Sequence, residues 1–268
     1  MAETFSLVIG GTSGIGRAIA LRFAAEGHRV VIAGRDAARG AAVAAECACG
    51  AFLPVDVADP ASVEALGAAV EAAHGTPDVL VNCAGILQSG KRVLDQPLDE
   101  DERLWRVNYR GTLLGCQVFG RMMAAAGRGA ILNVGSLASF APLSLPAYTP
   151  GKQAVRALTE MLACELGPRG VRVNAVAPGY TLSDGLKAKI AAGERNPDAI
   201  LDTTALKKFV QPDDVAEAAL FLCSDRATSI TGVTLPVDAG WLVQAPYAHY
   251  QRGNPIRSRD DDHPQIRF

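Results

Sequence analysis

Short, uninterrupted apolar runs alternate along this chain with longer stretches whose apolar positions recur at helical spacing. Leu7-Val8-Ile9 leads into a periodic stretch from about Gly14 to Glu26, and Arg29 to Ala33 into one ending near Cys47. Ala51 to Val55 precedes a stretch opened by Asp59-Pro60, which combines an N-cap residue with a proline at the first helical position. Val79 to Asn82, Ala130 to Val134, Val171 to Val176 and Val233 to Val237 are four further apolar runs. The stretches between them carry stripes such as Val63, Leu66, Ala69, Val70 and Ala73, the period of a helix with one buried face. Long helices are predicted over about Asp99 to Ala125 and Ala154 to Leu166, and another from near Pro212. Apolar strands separated by amphipathic helices require a parallel sheet covered on both faces. Right-handed crossovers then give an α/β fold, a doubly wound, seven-stranded parallel sheet of the Rossmann type.

Two stretches break the alternation. Residues 183–208 are polar with some helix potential, and read as a lid over whatever the sheet binds. From Gln244 to Phe268 the apolar period disappears and proline, arginine, aspartate and histidine take over. This predicts one catalytic domain over residues 1–243 and a loop-like extension, 244–268, outside the core. The aromatic content of that extension (Tyr247, His249, Tyr250) admits a second role, crossing to a neighbouring subunit.

Composition narrows the function classes. Hydrophobic residues make up 49% of the chain, enough for one large core, and aromatics only 6%, so that core is aliphatic. A net charge of -2 with no basic run argues against nucleic acid and anionic membranes. The apolar runs are too short to span a bilayer. Met1 to Ser6 has no basic segment with an apolar stretch behind it, against a secretory signal. Cysteines stand at 47, 49, 83, 116, 164 and 223. The one close pair, Cys47-x-Cys49, has neither zinc nor thioredoxin spacing, so no metal is expected. These cysteines read as small buried hydrophobes in a reducing cytoplasm, which is where the chain is expected to work.

The candidate chemistry lies at the strand ends. Gly10-x-x-x-Gly14-x-Gly16 joins the first strand to the first helix, with Thr12, Ser13 and Ile15 between the glycines. A glycine turn there lets the backbone approach a pyrophosphate, and the helix N-terminus offers free N–H groups and a positive dipole end. Arg35 follows the second strand, where a guanidinium can clamp a 2′-phosphate. This favours NADP(H) over NAD(H), although the adjacent Asp36 either neutralises Arg35 or binds a ribose. Tyr148 and Lys152 stand four apart, on one helix face. A tyrosine near an ammonium acts as acid or base in the proton transfer that accompanies a hydride. Ser136, just past the fifth strand, is placed to hold the substrate oxygen. Pro150 and Gly151 between the pair imply that this helix begins shortly before the proline.

In this order and spacing the chain resembles the short-chain dehydrogenase/reductase family over about residues 5–242. Gly10, Gly14 and Gly16 match the family's glycine motif, with Ile9 where a threonine is usual. Asp56 with Val57 matches its adenine site. Asn82-Cys83-Ala84-Gly85 matches its Asn-Asn-Ala-Gly segment, with Cys83 a departure. Pro178-Gly179 followed by Thr181 matches the nicotinamide turn, and the closing segment reaches Gly240 with Ala239 where glycine is usual. The resemblance implies NAD(P) as cofactor, contacted by these residues and by Tyr148 and Lys152. It implies a catalytic set of Asn108, Ser136, Tyr148 and Lys152. Tyr148 would transfer the proton, Lys152 bind the nicotinamide ribose and lower the tyrosine pKa, Ser136 orient the substrate, and Asn108 hold a relay water. Substrate contacts would come from Leu87, Gln88, Leu137, Ser139, Leu143 and Tyr180. The partner would be a small-molecule alcohol or ketone, and the assembly a homotetramer or homodimer built on the long helices. A sugar, polyol or other small hydroxy compound competes with a 3-oxoacyl thioester as substrate. A non-catalytic dinucleotide-binding sensor is the alternative of another class, against which the retained Tyr148 and Lys152 speak.

Overall fold

Alternation along the first strand, β1 (Phe5–Ile9), divides the core in two. Leu7 and Ile9 face one side of the sheet and Val8 the other, as the two-residue repeat of a strand requires. The computed structural model describes residues 3–47 and 50–253. Six further strands follow: β2 (Arg29–Gly34), β3 (Ala51–Pro54), β4 (Val79–Asn82), β5 (Gly129–Val134), β6 (Val171–Pro178) and β7 (Thr234–Val237). All pair in parallel, in the order β3-β2-β1-β4-β5-β6-β7. The chain therefore reverses its direction of travel between β1 and β4, the switch point where such sheets open a crevice.

Helices cover both faces. One layer joins Val8, Ile32 and Leu132 to Ile19 and Phe23 of α1 (Gly14–Ala25), Val43 of α2 (Ala37–Glu46) and Val215 and Leu220 of α9 (Pro212–Cys223). The other joins Leu7, Leu80 and Ile131 to Val63, Leu66 and Val70 of α3 (Pro60–His74), Phe119 and Met123 of α5 (Gly111–Ala126) and Ala163 of α6 (Tyr148–Leu166). Helix α3 starts as its sequence predicts, with the Asp59 side chain accepting from the Ala61 N–H at 3.0 Å and Pro60 inside the first turn. No helix among the described residues is long and apolar enough to cross a membrane.

Three expectations are specified or corrected. The helix predicted over about 99–125 is α4 (Leu98–Trp105) and α5 joined by a π-helical turn, Arg106–Arg110, that contains Asn108. The stretch 183–208 holds two short helices, α7 (Asp184–Ala191) and α8 (Pro197–Asp202). The expected loop from Gln244 is instead helical through residue 253, as α10 (Trp241–Gly253), so the proposed boundary at 243/244 falls inside a helix. Asp238 explains the third. Its Oδ1 accepts from the Gly240 N–H and its Oδ2 from the Leu242 N–H, both at 2.9 Å, which nucleates the helix despite Pro246 in its second turn. Residues 254–268 and Cys49 lie outside the described residues. Of the remaining cysteines, 47, 116 and 223 are buried as expected, whereas Cys164 is exposed.

The turn into α10 carries backbone strain. Ala239 sits at φ +53°, and its carbonyl accepts from the Leu206 N–H at 3.1 Å, tying the turn to the chain after α8. A Cβ in the left-handed region costs about 1–2 kcal/mol, partly offset by the smaller entropy an alanine loses on folding. Ala239→Gly is therefore expected to raise stability by about 0.5–1 kcal/mol in a urea titration. An unchanged or lower midpoint would mean that the strain is relieved elsewhere.

Candidate active site

The chain segments after β1 to β6 meet at the carboxyl edge of the sheet and, with the start of α6, enclose a cleft of about 840 Å³. At one end the turn after β1 presents Gly10, Thr12, Ser13, Gly14, Ile15 and Gly16. Gly16 is required for packing, because a Cβ there would lie 2.1 Å from the Gly10 carbonyl oxygen. Gly14 is different: at φ +52° it has nothing among the described residues within 4 Å of the place a Cβ would occupy. Ser13, the N-cap of α1, makes no side-chain capping bond. The helix therefore opens its N-terminal amides and dipole onto free space beside a glycine backbone, and these residues fit the pyrophosphate of a dinucleotide.

Arg35, Asp36 and Arg39 border the same end. The Asp36 carboxylate is used twice. It accepts from the Arg39 N–H at 3.0 Å as the N-cap of α2, and it lies 3.0 Å from the Arg39 guanidinium. Asp36 therefore pairs with Arg39 rather than Arg35, which faces the cleft without an ion-pair partner among the described residues. Asp56 and Val57 reach this wall after β3, and Asp56 Oδ1 accepts from the Ala58 N–H at 3.0 Å. Ala84 and Gly85 follow β4, Pro178 ends β6, and Gly179 and Thr181 follow it, all lining the cleft.

Ser136, Tyr148 and Lys152 converge on the cleft floor. Ser136 caps a short 3₁₀ turn, its Oγ accepting from the Ala138 N–H at 3.2 Å, and it shares the cleft lining with Tyr148. Tyr148 is the first residue of α6, so Pro150 falls in the first turn, where a missing N–H costs nothing. Lys152 stands one turn on; its Nζ donates to the Val134 carbonyl at 2.7 Å and lies 5.7 Å from the tyrosine ring centre. Burial raises the tyrosine pKa above its ordinary value, opposed by the neighbouring Ser136 hydroxyl. Burial also lowers the lysine to about 8.

Three expected site residues turn inward instead. The Asn82 carboxamide donates to Asn133 Oδ1 at 3.0 Å and to Cys116 Sγ at 3.3 Å, beneath the cleft. The next residue on the chain, Cys83, lines the cleft in its place, and burial pushes its thiol up to about 11. Asn108 gives both ends of its carboxamide to the backbone of Ile86, accepting from the N–H at 2.8 Å and donating to the carbonyl at 3.0 Å. Ser139 donates to the Lys152 carbonyl at 2.8 Å and accepts from the Ser136 N–H at 3.2 Å, fastening the serine turn to α6. Leu87, Gln88, Leu137, Leu143 and Tyr180 do line the cleft. So do Ile86, Ser183, Leu186, Lys189 and Arg195, which sequence reasoning had not singled out. The last four belong to the stretch read as a lid, and the only signal for them was that stretch as a whole.

With this geometry in hand, comparison with known proteins is informative. A family model described as enoyl-(acyl carrier protein) reductase matches residues 10–242. D-threitol dehydrogenase of Mycolicibacterium smegmatis is 39% identical over 244 residues, covering 89% of this chain and 93% of that protein. Galactitol 2-dehydrogenase (L-tagatose-forming) of Cereibacter sphaeroides is 38% identical over 251 residues, covering 88% and 94%. Among solved structures, one from Brucella melitensis 16M described as ribose-5-phosphate isomerase superposes with a TM-score of 0.91 at 41% identity, covering 96% of this chain and 98% of that one.

The two glycines of α1 separate packing from binding. Gly14→Ala is expected to cost about 1–2 kcal/mol of stability from its positive φ. Its methyl projects into the cleft, so the dinucleotide dissociation constant should rise about tenfold or more. Gly16→Ala, whose Cβ meets backbone, should prevent the turn from closing and lower the yield of folded protein. Calorimetry with and without dinucleotide distinguishes the two. Unaltered dinucleotide affinity in a folded Gly14→Ala would place the pyrophosphate elsewhere.

Proposed function

The chain belongs to the short-chain dehydrogenase/reductase family, and we propose that it interconverts a small polyol, sugar or similar hydroxy compound and its ketone, with Tyr148 as general acid and base. The reading is carried by one observation, the convergence of Ser136, Tyr148 and Lys152 on the floor of a cleft whose far end fits a pyrophosphate. A nicotinamide dinucleotide in the cleft supplies or accepts the hydride. Ser136 holds the substrate oxygen. Tyr148 Oη takes the alcohol proton in oxidation and returns it in reduction. Lys152, fixed by the Val134 carbonyl, binds the nicotinamide ribose, and its charge favours the phenolate against the effect of burial. The Asn108 carboxamide holds Ile86 in the cleft wall, and the relay water is assigned to Asn108 from the family resemblance.

The polyol reading is supported by the two relatives named for polyols and by a wall that mixes Leu137, Leu143 and Leu186 with Tyr180 and Ser183. The isomerase name of the Brucella structure refers to another reaction class; the Ser136–Tyr148–Lys152 floor of this chain is equipped for proton transfer alongside a hydride. Absorbance at the reduced-nicotinamide band tests the reading directly. D-threitol, galactitol and a short 3-oxoacyl thioester would be offered with the NAD and NADP couples. Turnover of the thioester alone would move the assignment to a 3-oxoacyl reductase, and dinucleotide binding without any turnover to a sensor. A homotetramer is proposed from the family resemblance, and a monomer by light scattering at micromolar concentration would reject it.

Three outcomes follow from the site. Tyr148→Phe should lower turnover by about 10²–10⁴-fold while dinucleotide still binds, and wild-type turnover would remove Tyr148 from the mechanism. Because burial raises the tyrosine pKa, phenolate is scarce near neutrality. Alcohol oxidation, which needs the base, should therefore accelerate with pH between about 7 and 9, while ketone reduction, which starts from the phenol, stays nearly level. An oxidation profile level over that range counts against Tyr148 as the base. Finally, with Asp36 engaged by Arg39, Arg35 is the group proposed to read a 2′-phosphate, so NADP(H) is preferred. Arg35→Ala should raise the Michaelis constant for NADP(H) by about one to two decades, and that for NAD(H) far less. Equal responses would cancel the preference.

A further inference from the structure

The first turn of a helix leaves four backbone N–H positions without an intrahelical partner. In α6, the helix that carries Tyr148 and Lys152, all four are accounted for, and in an unusual way. Pro150 has no N–H. The Thr149 N–H donates to the Leu145 carbonyl at 2.8 Å. The remaining two, of Ala147 and Tyr148, donate to a single atom, Oε1 of Gln88, at 3.1 and 3.0 Å. Ala147, the local N-cap, has no side chain able to serve. The cap comes instead from a glutamine sixty residues before Tyr148, on the segment after β4. Gln88 is buried, borders the cleft, and donates from Nε2 to the Gln96 side chain. Gln96 in turn donates to the Pro97 carbonyl at 3.0 Å, immediately before α4. The substrate-facing segment from Leu87 to Gln96 is thus bound to the backbone of the reacting tyrosine.

We infer that Gln88 is a positioning residue for proton transfer. It fixes the Tyr148 backbone and so sets where the phenol oxygen stands relative to Ser136. It acts through Tyr148 rather than on the substrate, and the inference rests on Tyr148 being the acid–base group. Misplacing a reacting atom by about 1 Å costs on the order of 10²-fold in rate, so losing this acceptor should be read in turnover before it is read in binding.

Two variants test this. Gln88→Met fills the space without an acceptor, and Gln88→Glu keeps an oxygen able to take both N–H groups. The readouts are kcat and KM on D-threitol or galactitol, whichever the substrate panel selects, and the dinucleotide dissociation constant from tryptophan fluorescence. Amide exchange in a peptide spanning 145–150 is measured alongside. Gln88→Met is expected to lower kcat by about 10–100-fold, to leave the dinucleotide constant within about twofold, and to speed exchange at residues 147 and 148. Gln88→Glu is expected to recover most of kcat. Its oxidation profile should move to higher pH, because a carboxylate beside Tyr148 disfavours the phenolate. A folded Gln88→Met with wild-type kcat overturns the inference, as does a loss confined to the substrate KM, which would make Gln88 a substrate contact. If Gln88→Met does not fold, Gln88→Glu decides: a pH profile identical to wild type overturns the inference, and a shifted one supports it. Tyr148→Phe is run in parallel. Should it retain turnover, the reading of the site itself fails; should it be inactive while Gln88→Met runs at full speed, only the positioning role falls.

Discussion

Strands that all run in one direction must all end at one edge, and the rest of this molecule depends on that constraint. Parallel pairing of β1 to β7 sends the segments after six strands to a common rim. The chain after β1 brings glycines and a helix N-terminus, after β2 an arginine, after β3 Asp56 and Val57, after β4 Ala84 and Gly85, after β5 a serine, and after β6 the stretch with α7 and α8. No one of these segments binds anything alone. The helices that make parallel connection possible also bury the sheet on both faces, so the rim is where polar groups and backbone ends gather. The reversal between β1 and β4 then separates the glycine turn from its neighbours enough to leave a cleft rather than a closed edge.

How much of this was legible in the sequence depended on whether the signal was local. The strands, the glycine turn, Asp59-Pro60 and the four-residue spacing of Tyr148 and Lys152 act within one turn of the chain, and each fell where expected. Facing is harder to read. Asn82 and Cys83 are consecutive at a strand end, so one must point into the core as the other points into the cleft. A motif that names both does not say which, and Asn82 proved to be the inward one. Asn108 and Ser139 were likewise found by type, yet their side chains serve the backbone of Ile86 and Lys152. Gln88 had no local signal as a cap at all, because the helix it closes lies sixty residues away. The helix α10 was missed because proline, arginine and aspartate outweighed the one residue that starts it, Asp238.

The inward asparagine is part of a polar string beneath the site. Asn82 bonds Asn133, Asn133 Nδ2 donates to Thr159 at 3.0 Å, and Thr159 donates to the Val155 carbonyl at 2.8 Å. The string joins β4, β5 and α6 through fully buried atoms, and Asn82 Oδ1 is left without a partner among the described residues. A buried unsatisfied oxygen costs about 1–3 kcal/mol. Gly115 accommodates the carboxamide, since a Cβ there would come within 2.3 Å of that same oxygen. An aliphatic core would be cheaper but would let α6 slide against the sheet. Directional bonds fix its register, and with it the height of Tyr148 and Lys152 above β5.

Register matters because the electrostatics of the site run against its chemistry. Burial pushes Tyr148 and Lys152 toward neutrality from opposite sides, raising one pKa and bringing the other to about 8. Lys152 is therefore held where a modest change in local charge alters its protonation, while Tyr148 rests as the phenol and needs a neighbouring positive charge to act as a base. Such poise is useful only if distances are fixed. The Ser136 hydroxyl and the Lys152 charge favour the phenolate only while the serine turn and α6 stay in place. Ser139 fastens the turn to the helix, Val134 fastens the lysine to the strand, and Gln88 closes the helix start. Each of these bonds uses a backbone atom on at least one side, so the catalytic geometry is set by main chain. Gln88 apart, the side chains that line the substrate wall, such as Leu143 and Leu186, make none of these bonds and are free to vary with the substrate.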